Sequence, residues 1–114
     1  MAESPDFKTI LDNHPSIEAI ICMSRDGLSL NSSTRSSKPI DEIVSIVAAL
    51  YAAAIDATLL KADGDGRLFI DAAHGSLYCR SVDANTLLLL LTNDRCTEQQ
   101  CERVFESWSF YGQK

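Results

Sequence analysis

An α+β fold, an antiparallel sheet with helices on both faces, is predicted by three features of this sequence. Hydrophobic periodicity runs in the order α-β-β-α-β-β-β-α along 114 residues, a length that suits a single domain spanning 1–114. Asp26-Gly27, His74-Gly75 and Asp83-Ala84-Asn85 supply short turns of the kind that join antiparallel neighbours. The stretch TLLLLLT, Thr86 to Thr92, is apolar on both sides, so this strand should lie centrally with both faces covered.

Each element follows from local chemistry. Ser4 and Pro5 suit the cap and first position of a short helix that places Phe7, Ile10 and Leu11 on one face. His14-Pro15 ends it, because the residue before proline avoids helical geometry. Ile17 to Ser24 reads as an interior strand, with Ile17, Ala19, Ile21 and Met23 on one side and Ile20 and Cys22 on the other. Leu28 to Asn31 returns as a second strand, and SSTRSSK reads as a polar linker. Pro39, Asp41 and Glu42 open a long helix running to Leu60 or Lys61, where Asp63-Gly64-Asp65-Gly66 stops it. Strands follow over Arg67 to Ala73, Ser76 to Val82 and Thr86 to Thr92. Thr97 caps a closing helix that turns Cys101, Val104, Phe105 and Trp108 inward.

Composition excludes several functions. A net charge of −6 with ten scattered basic residues offers no face for phosphates, so no nucleic-acid partner is expected. Cys22, Cys79, Cys96 and Cys101 show neither CxxC nor paired zinc spacing, and MAESPDFKT lacks the apolar run of a signal peptide. Reduced thiols in a cytoplasmic protein are expected, without metal or cofactor. Cys96 and Cys101, five apart, should point to different helix faces.

The long helix is the informative element. On a wheel of about 100° per residue, Ile43, Val47, Leu50, Ala54 and Ala57 centre its apolar face. Val44, Tyr51 and Ile55 extend one flank, and Ile46, Ala53 and Leu60 the other. The apolar arc spans roughly 220°, about twice what a surface helix needs. Its alanine richness, the acids Asp41, Glu42 and Asp56, and the lack of a basic cluster argue against a membrane span. A second molecule alongside is the better cover, with Ala49 and Ala53 permitting close approach if the seam lies on their side.

Candidate chemistry is sparse. DGDGRLFID resembles part of a calcium loop, but aligning Asp63, Asp65 and Gly66 puts Lys61 first and Ala72 twelfth, where acids belong. His74 and Cys79 lack an orienting third group, and His14 reads as a helix end. A small-ligand sensor or enzyme would have to use His74, Tyr78 and Arg80. Trp108, Phe110 and Tyr111 form an aromatic cluster that either completes the core or docks a partner.

Taken together, PSIEAIICMSRDGLSL, IDEIVSIVAALYAAAIDATLL and LFIDAAHGSLYCRSVDANTLLLLLT resemble the Roadblock/light-chain-7 family. The resemblance implies a profilin-like, five-stranded antiparallel sheet with the long second helix on one face and the terminal helices on the other. It implies dimerisation through that helix and the third strand, here Leu68 to Ala73. Ile46, Ala49, Tyr51, Ala53, Ile55, Asp56 and Leu60, with Leu68, Phe69, Asp71 and Ala73, are then the expected seam. Family members are non-catalytic platforms: dynein light chains, subunits of the lysosomal Ragulator scaffold, and prokaryotic relatives that act on Ras-like GTPases. The shortest Ragulator subunits lack the closing helix present here, and a homodimeric ancestral or prokaryotic type fits equally. The expected function is a non-catalytic scaffold, homodimeric or paired with a Roadblock-like subunit, that docks a small GTPase or a motor or adaptor complex. Any membrane association would be through partners.

Overall fold

The computed structural model describes residues 7–59, 66–93 and 96–112, the side chains of the last stretch through Ser107. Its elements are α1 (Phe7–Asn13), β1 (Ile17–Ser24), β2 (Ser29–Thr34), α2 (Ile40–Asp56), β3 (Arg67–Ala72), β4 (Gly75–Asp83), β5 (Thr86–Thr92) and α3 (Glu98–Gly112). They form the expected α+β architecture. The strands make one antiparallel sheet in the order β2-β1-β5-β4-β3, so the leucine-rich β5 is central. Leu87 to Leu90 are fully buried.

Two apolar cores sandwich the sheet. On one face Phe7, Ile10 and Leu11 of α1 and Cys101, Val104 and Phe105 of α3 pack on Ile20, Tyr78, Leu88 and Leu90. On the other, Val44, Val47, Ala48 and Tyr51 of α2 cover Ile21, Met23, Cys79, Leu87 and Leu89. Ile17 departs from the expected alternation and joins the α1/α3 core. The β1–β5 register shifts between Ile17 and Ala19, and one extra residue reverses the face of everything before it.

The polar run after Asn31 is not a linker. Ser32, Ser33 and Thr34 pair with Ile21, Ile20 and Ala19, extending β2. Arg35 then donates from Nε to the Ile17 carbonyl (2.7 Å) and from Nη2 to the carbonyls of Leu11 and His14. It thereby adds a side-chain donor to carbonyls at and just beyond the end of α1, where the His14 N–H already reaches Leu11 and the Ile17 N–H reaches His14. Nearby, Ser36 and Lys38 engage the Glu18 carboxylate.

Helix α2 stops at Asp56, a turn earlier than expected. The Leu59 N–H reaches back to the Ala54 carbonyl (2.8 Å) and the Thr58 N–H to that of Ile55 (2.9 Å). These are the paired bonds of a Schellman ending. Thr58 occupies the left-handed position at φ 60°, where glycine is usual, so the sequence carried no stop signal there. Thr58→Gly is expected to stabilise the fold by about 0.5–1 kcal/mol, because relief of the β-branched strain exceeds the added unfolded-state freedom. Urea denaturation with an unchanged slope would show it. Ser4, Pro5 and the turn expected over residues 63–66 fall wholly or mostly outside the described residues, as do Leu60, Asp63 and Asp65.

Candidate interaction surface

The α2 helix sits on the sheet rotated by roughly 75° from the expected apolar centre, at about 100° per residue. Its buried stripe is Val44, Val47, Ala48, Tyr51 and Ala54. The β1–β2 turn lies against this stripe. Gly27 takes φ +94°, and a Cβ there would lie 3.5 Å from Ala48 Cβ and 3.6 Å from Ser45 Cα, ordinary contact distances. It is the positive φ that favours glycine at this turn. Tyr51 locks the other end by donating its hydroxyl to the Gly66 carbonyl (3.2 Å), with the Arg25 guanidinium 5.1 Å from its ring centre.

That rotation leaves a second apolar stripe facing outward. Ile46 is 61% and Leu50 42% exposed, with Ala49, Ala53 and Ala57 exposed on the same side. Leu59 follows at 76%. Beside the stripe lies β3, whose second edge carries no strand among the described residues. Leu68 packs toward α2, while Phe69 packs toward the α1/α3 core. Ile70, 43% exposed, lines a cleft of about 440 Å³ with Ile43, Leu77 and Leu91, rimmed by His74, Glu18 and Lys38. The Glu18 carboxyl is held below its ordinary range chiefly by the Ser36 hydroxyl, against some desolvation, with smaller help from Asn93, Lys38 and Arg35.

The expected seam residues therefore fall in three places. Ile46, Ala49, Ala53 and Asp56 are exposed on α2, and Asp71 and Ala73 are exposed on β3 and its turn. Leu68, Phe69 and Ile55 are half-buried. Tyr51 is turned into the chain's own core, 2% exposed, and presents no surface to a partner. Leu60 and the side chains of Trp108, Phe110 and Tyr111 lie outside the described residues. Leu50 and Ile70 were missed as surface residues. Apolar character over most of the wheel hid Leu50, and the imperfect alternation along RLFID, with Leu68, Phe69 and Ile70 consecutive, gave no sign of which of them is exposed.

The residues considered for chemistry do not converge. His74 stands at the β3–β4 turn, whereas Cys79 is buried four residues up β4 from Gly75. Tyr78 and Arg80 lie on the opposite sheet face from the His74 cleft, Arg80 stacked 4.3 Å from the Phe105 ring centre. Burial raises the Tyr78 hydroxyl pKa, against a lesser pull from neighbouring Arg80. No three metal-ligating side chains gather among the described residues. No described helix is long and apolar enough to cross a membrane.

All four cysteines are free thiols. Cys96 and Cys101 share one core rather than facing apart. The reason is that Cys96 precedes the helix. Thr97 Oγ1 accepts from the Gln100 N–H (3.1 Å) and the Gln100 carboxamide oxygen accepts from the Thr97 N–H (2.7 Å). This reciprocal cap folds the residue before Thr97 back over the first turn, where Cys101 lies.

Burial pushes the Cys79 thiol up to about 12, against a lesser pull from Arg25. Burial, then Cys96 and Glu98, push Cys101 up to about 12. The unfolded chain releases these protons first. Stability should therefore be complete below about pH 9 and fall as pH rises from there towards 12. Urea midpoints across that window should show the loss, and Cys79→Ala or Cys101→Ala should each flatten it.

No protein-family model matches the chain, and no curated protein sequence matches it. Solved structures do. The gliding protein MglB from Thermus thermophilus superposes with a TM-score of 0.76 at 15% identity, over 92% of this chain and 81% of that one. A Roadblock/LC7 domain from Streptomyces avermitilis gives 0.75 at 15% identity, over 90% and 88%. Myxococcus xanthus MglB gives 0.73 at 17% identity, over 93% of each chain. The fold is that of the Roadblock/LC7 domain.

Proposed function

We propose that the chain is a single-domain, non-catalytic scaffold that dimerises through the outer stripe of α2 and the free edge of β3. The assembled platform docks and regulates a Ras-like GTPase or, in the same manner, a motor or adaptor complex. The observation that carries this reading is the exposure of Ile46 and Leu50 on α2 and of Ile70 on β3, with Ile43 of α2 lining one cleft with Ile70. Exposed apolar side chains gathered on neighbouring elements mark an association site on a folded domain.

Further support comes from the fold and its relatives. The sequence resembles a family of such platforms, and one structure of similar fold is MglB in a tetrameric arrangement. A cytoplasmic setting agrees with four unpaired thiols. The ligand-sensor alternative loses ground because His74 is separated by the sheet from Tyr78 and Arg80. The test is titration of the purified protein against Ras-like GTPases loaded with GDP or a GTP analogue. Binding that depends on the nucleotide, or altered hydrolysis, is the expected result. Indifference to every GTPase in both states would remove the GTPase from the reading.

A further inference from the structure

Cys96 and Cys101 occupy paired positions at the start of α3. Thr97 caps the helix, because its carbonyl accepts the Cys101 N–H (3.2 Å) while Thr97 and Gln100 exchange reciprocal hydrogen bonds. Cys96 is therefore the residue before the cap, and Cys101 is the fourth residue of the helix. In a cap of this type those two side chains pack on one another as a hydrophobic staple. Here both members of the staple are thiols. They lie in one buried cluster, and Cys96 is near enough to help raise the Cys101 thiol, after burial.

The two thiols differ in access. Cys101 is 0% exposed, whereas Cys96 is 7% exposed. Cys96 lines a cleft of about 230 Å³ with His14, Ser16, Gln100 and Arg103. It also borders a second cleft beside Phe69 and Asp71. A small solute entering either cleft meets Cys96 and not Cys101. The Cys96 backbone is tied to β4, since its N–H donates to Ser76 Oγ (3.4 Å) and the Ser76 hydroxyl donates to its carbonyl (3.2 Å). Moving Cys96 off Cys101 would break these buried hydrogen bonds, so the pair is held together from both ends.

We propose that Cys96 and Cys101 form a redox-active dithiol, in which Cys96 reacts with a small hydroperoxide and Cys101 closes an intrachain disulfide. In the first step the Cys96 thiolate attacks one peroxide oxygen. An S–O bond forms, the O–O bond breaks, and the leaving oxygen takes up the proton that Cys96 released. In the second step the Cys101 sulfur attacks the Cys96 sulfur. The S–S bond forms, the S–O bond breaks, and the hydroxyl departs as water with the Cys101 proton. Two electrons have then passed from the thiols to the peroxide. Burial, which pushes the Cys101 thiol up to about 12, makes it a poor reactant toward solutes. Against an oxidised Cys96 it needs no encounter, because contact replaces diffusion. A transient, reducible disulfide suits a chain whose thiols are otherwise free. The inference is independent of the dimeric reading above.

The test treats the full chain with hydrogen peroxide, alkylates the remaining thiols and digests with trypsin. Cleavage after Arg95 and Arg103 leaves both cysteines in one peptide, residues 96–103. That peptide should be unalkylated and lighter by two hydrogens, and dithiothreitol should restore both thiols. Cys22 and Cys79 should stay alkylated, their oxidation being slower by about tenfold or more. Cys101→Ser should stop at a Cys96 sulfenic acid that dimedone traps, and Cys96→Ser should leave Cys101 unmodified. The parent digest stands alone if either variant misfolds. Four alkylated cysteines after treatment would overturn the assignment. So would a disulfide from Cys96 to Cys22 or to another copy of the chain, or Cys96 carried to sulfinic acid with Cys101 still free.

Discussion

Leu50→Glu is expected to halve the molar mass in solution while leaving the thermal midpoint nearly unchanged. Leu50 lies outside both apolar cores and is 42% exposed. Glutamate matches leucine closely in helix propensity. Within one chain the change is therefore a surface substitution, within about 0.5 kcal/mol of neutral. Across a dimer seam it buries an unpaired carboxylate twice, at a cost of about 3 kcal/mol or more. That weakens association by about two orders of magnitude. Ala53→Glu and Ala49→Glu, on the same exposed side, should act alike. Val44→Glu, by contrast, places a charge at a fully buried position of the α2 core and should unfold the chain. The pair of outcomes separates a docking residue from a folding residue on one helix.

Gly75→Ala should be the most destabilising small substitution in the chain. A Cβ at Gly75 would fall inside the contact radius of the Thr92 carbonyl oxygen and lie 3.4 Å from its carbonyl carbon. Both are backbone atoms, so no side chain can swing away. Thr92 is itself held, pairing with Ile17 of β1 and accepting the Ser76 N–H at Oγ1 (2.7 Å). Relief requires moving β4 away from β5, at the heart of the sheet. A loss of about 3 kcal/mol is expected, the upper end for overpacking, with the thermal midpoint about 12 °C lower. Gly27→Ala should cost less, about 1 kcal/mol, because its obstacle is the positive φ and the added methyl meets ordinary contact distances. Urea midpoints of the two variants decide the order.

These residues also show what a sequence of this kind discloses. The element order and the central position of β5 were legible, because TLLLLLT admits only a strand covered on both faces. The rotation of α2 was not. With apolar side chains around most of the wheel, the sequence singles out no face of the helix, and the buried one is set by packing on Met23, Cys79 and Leu89, residues far from it along the chain. The bulge that moves Ile17 to the other core depends on the register between β1 and β5. The end of α2 at Thr58 was hidden because a β-branched residue occupies a conformation that normally announces itself by glycine. An excess of apolar surface on α2 was legible. Which residues carry it outward, Ile46 and Leu50 rather than Val44 and Tyr51, was fixed only by packing.

Whether the exposed stripe of α2 and the edge of β3 are covered by another molecule is read most directly from molar mass. Light scattering across a range of concentrations supplies it. The expected species has about twice the mass of the 12.5 kDa chain, persists on dilution and is lost in Leu50→Glu. A folded monomer at every concentration, unchanged by Leu50→Glu, would contradict the dimeric scaffold.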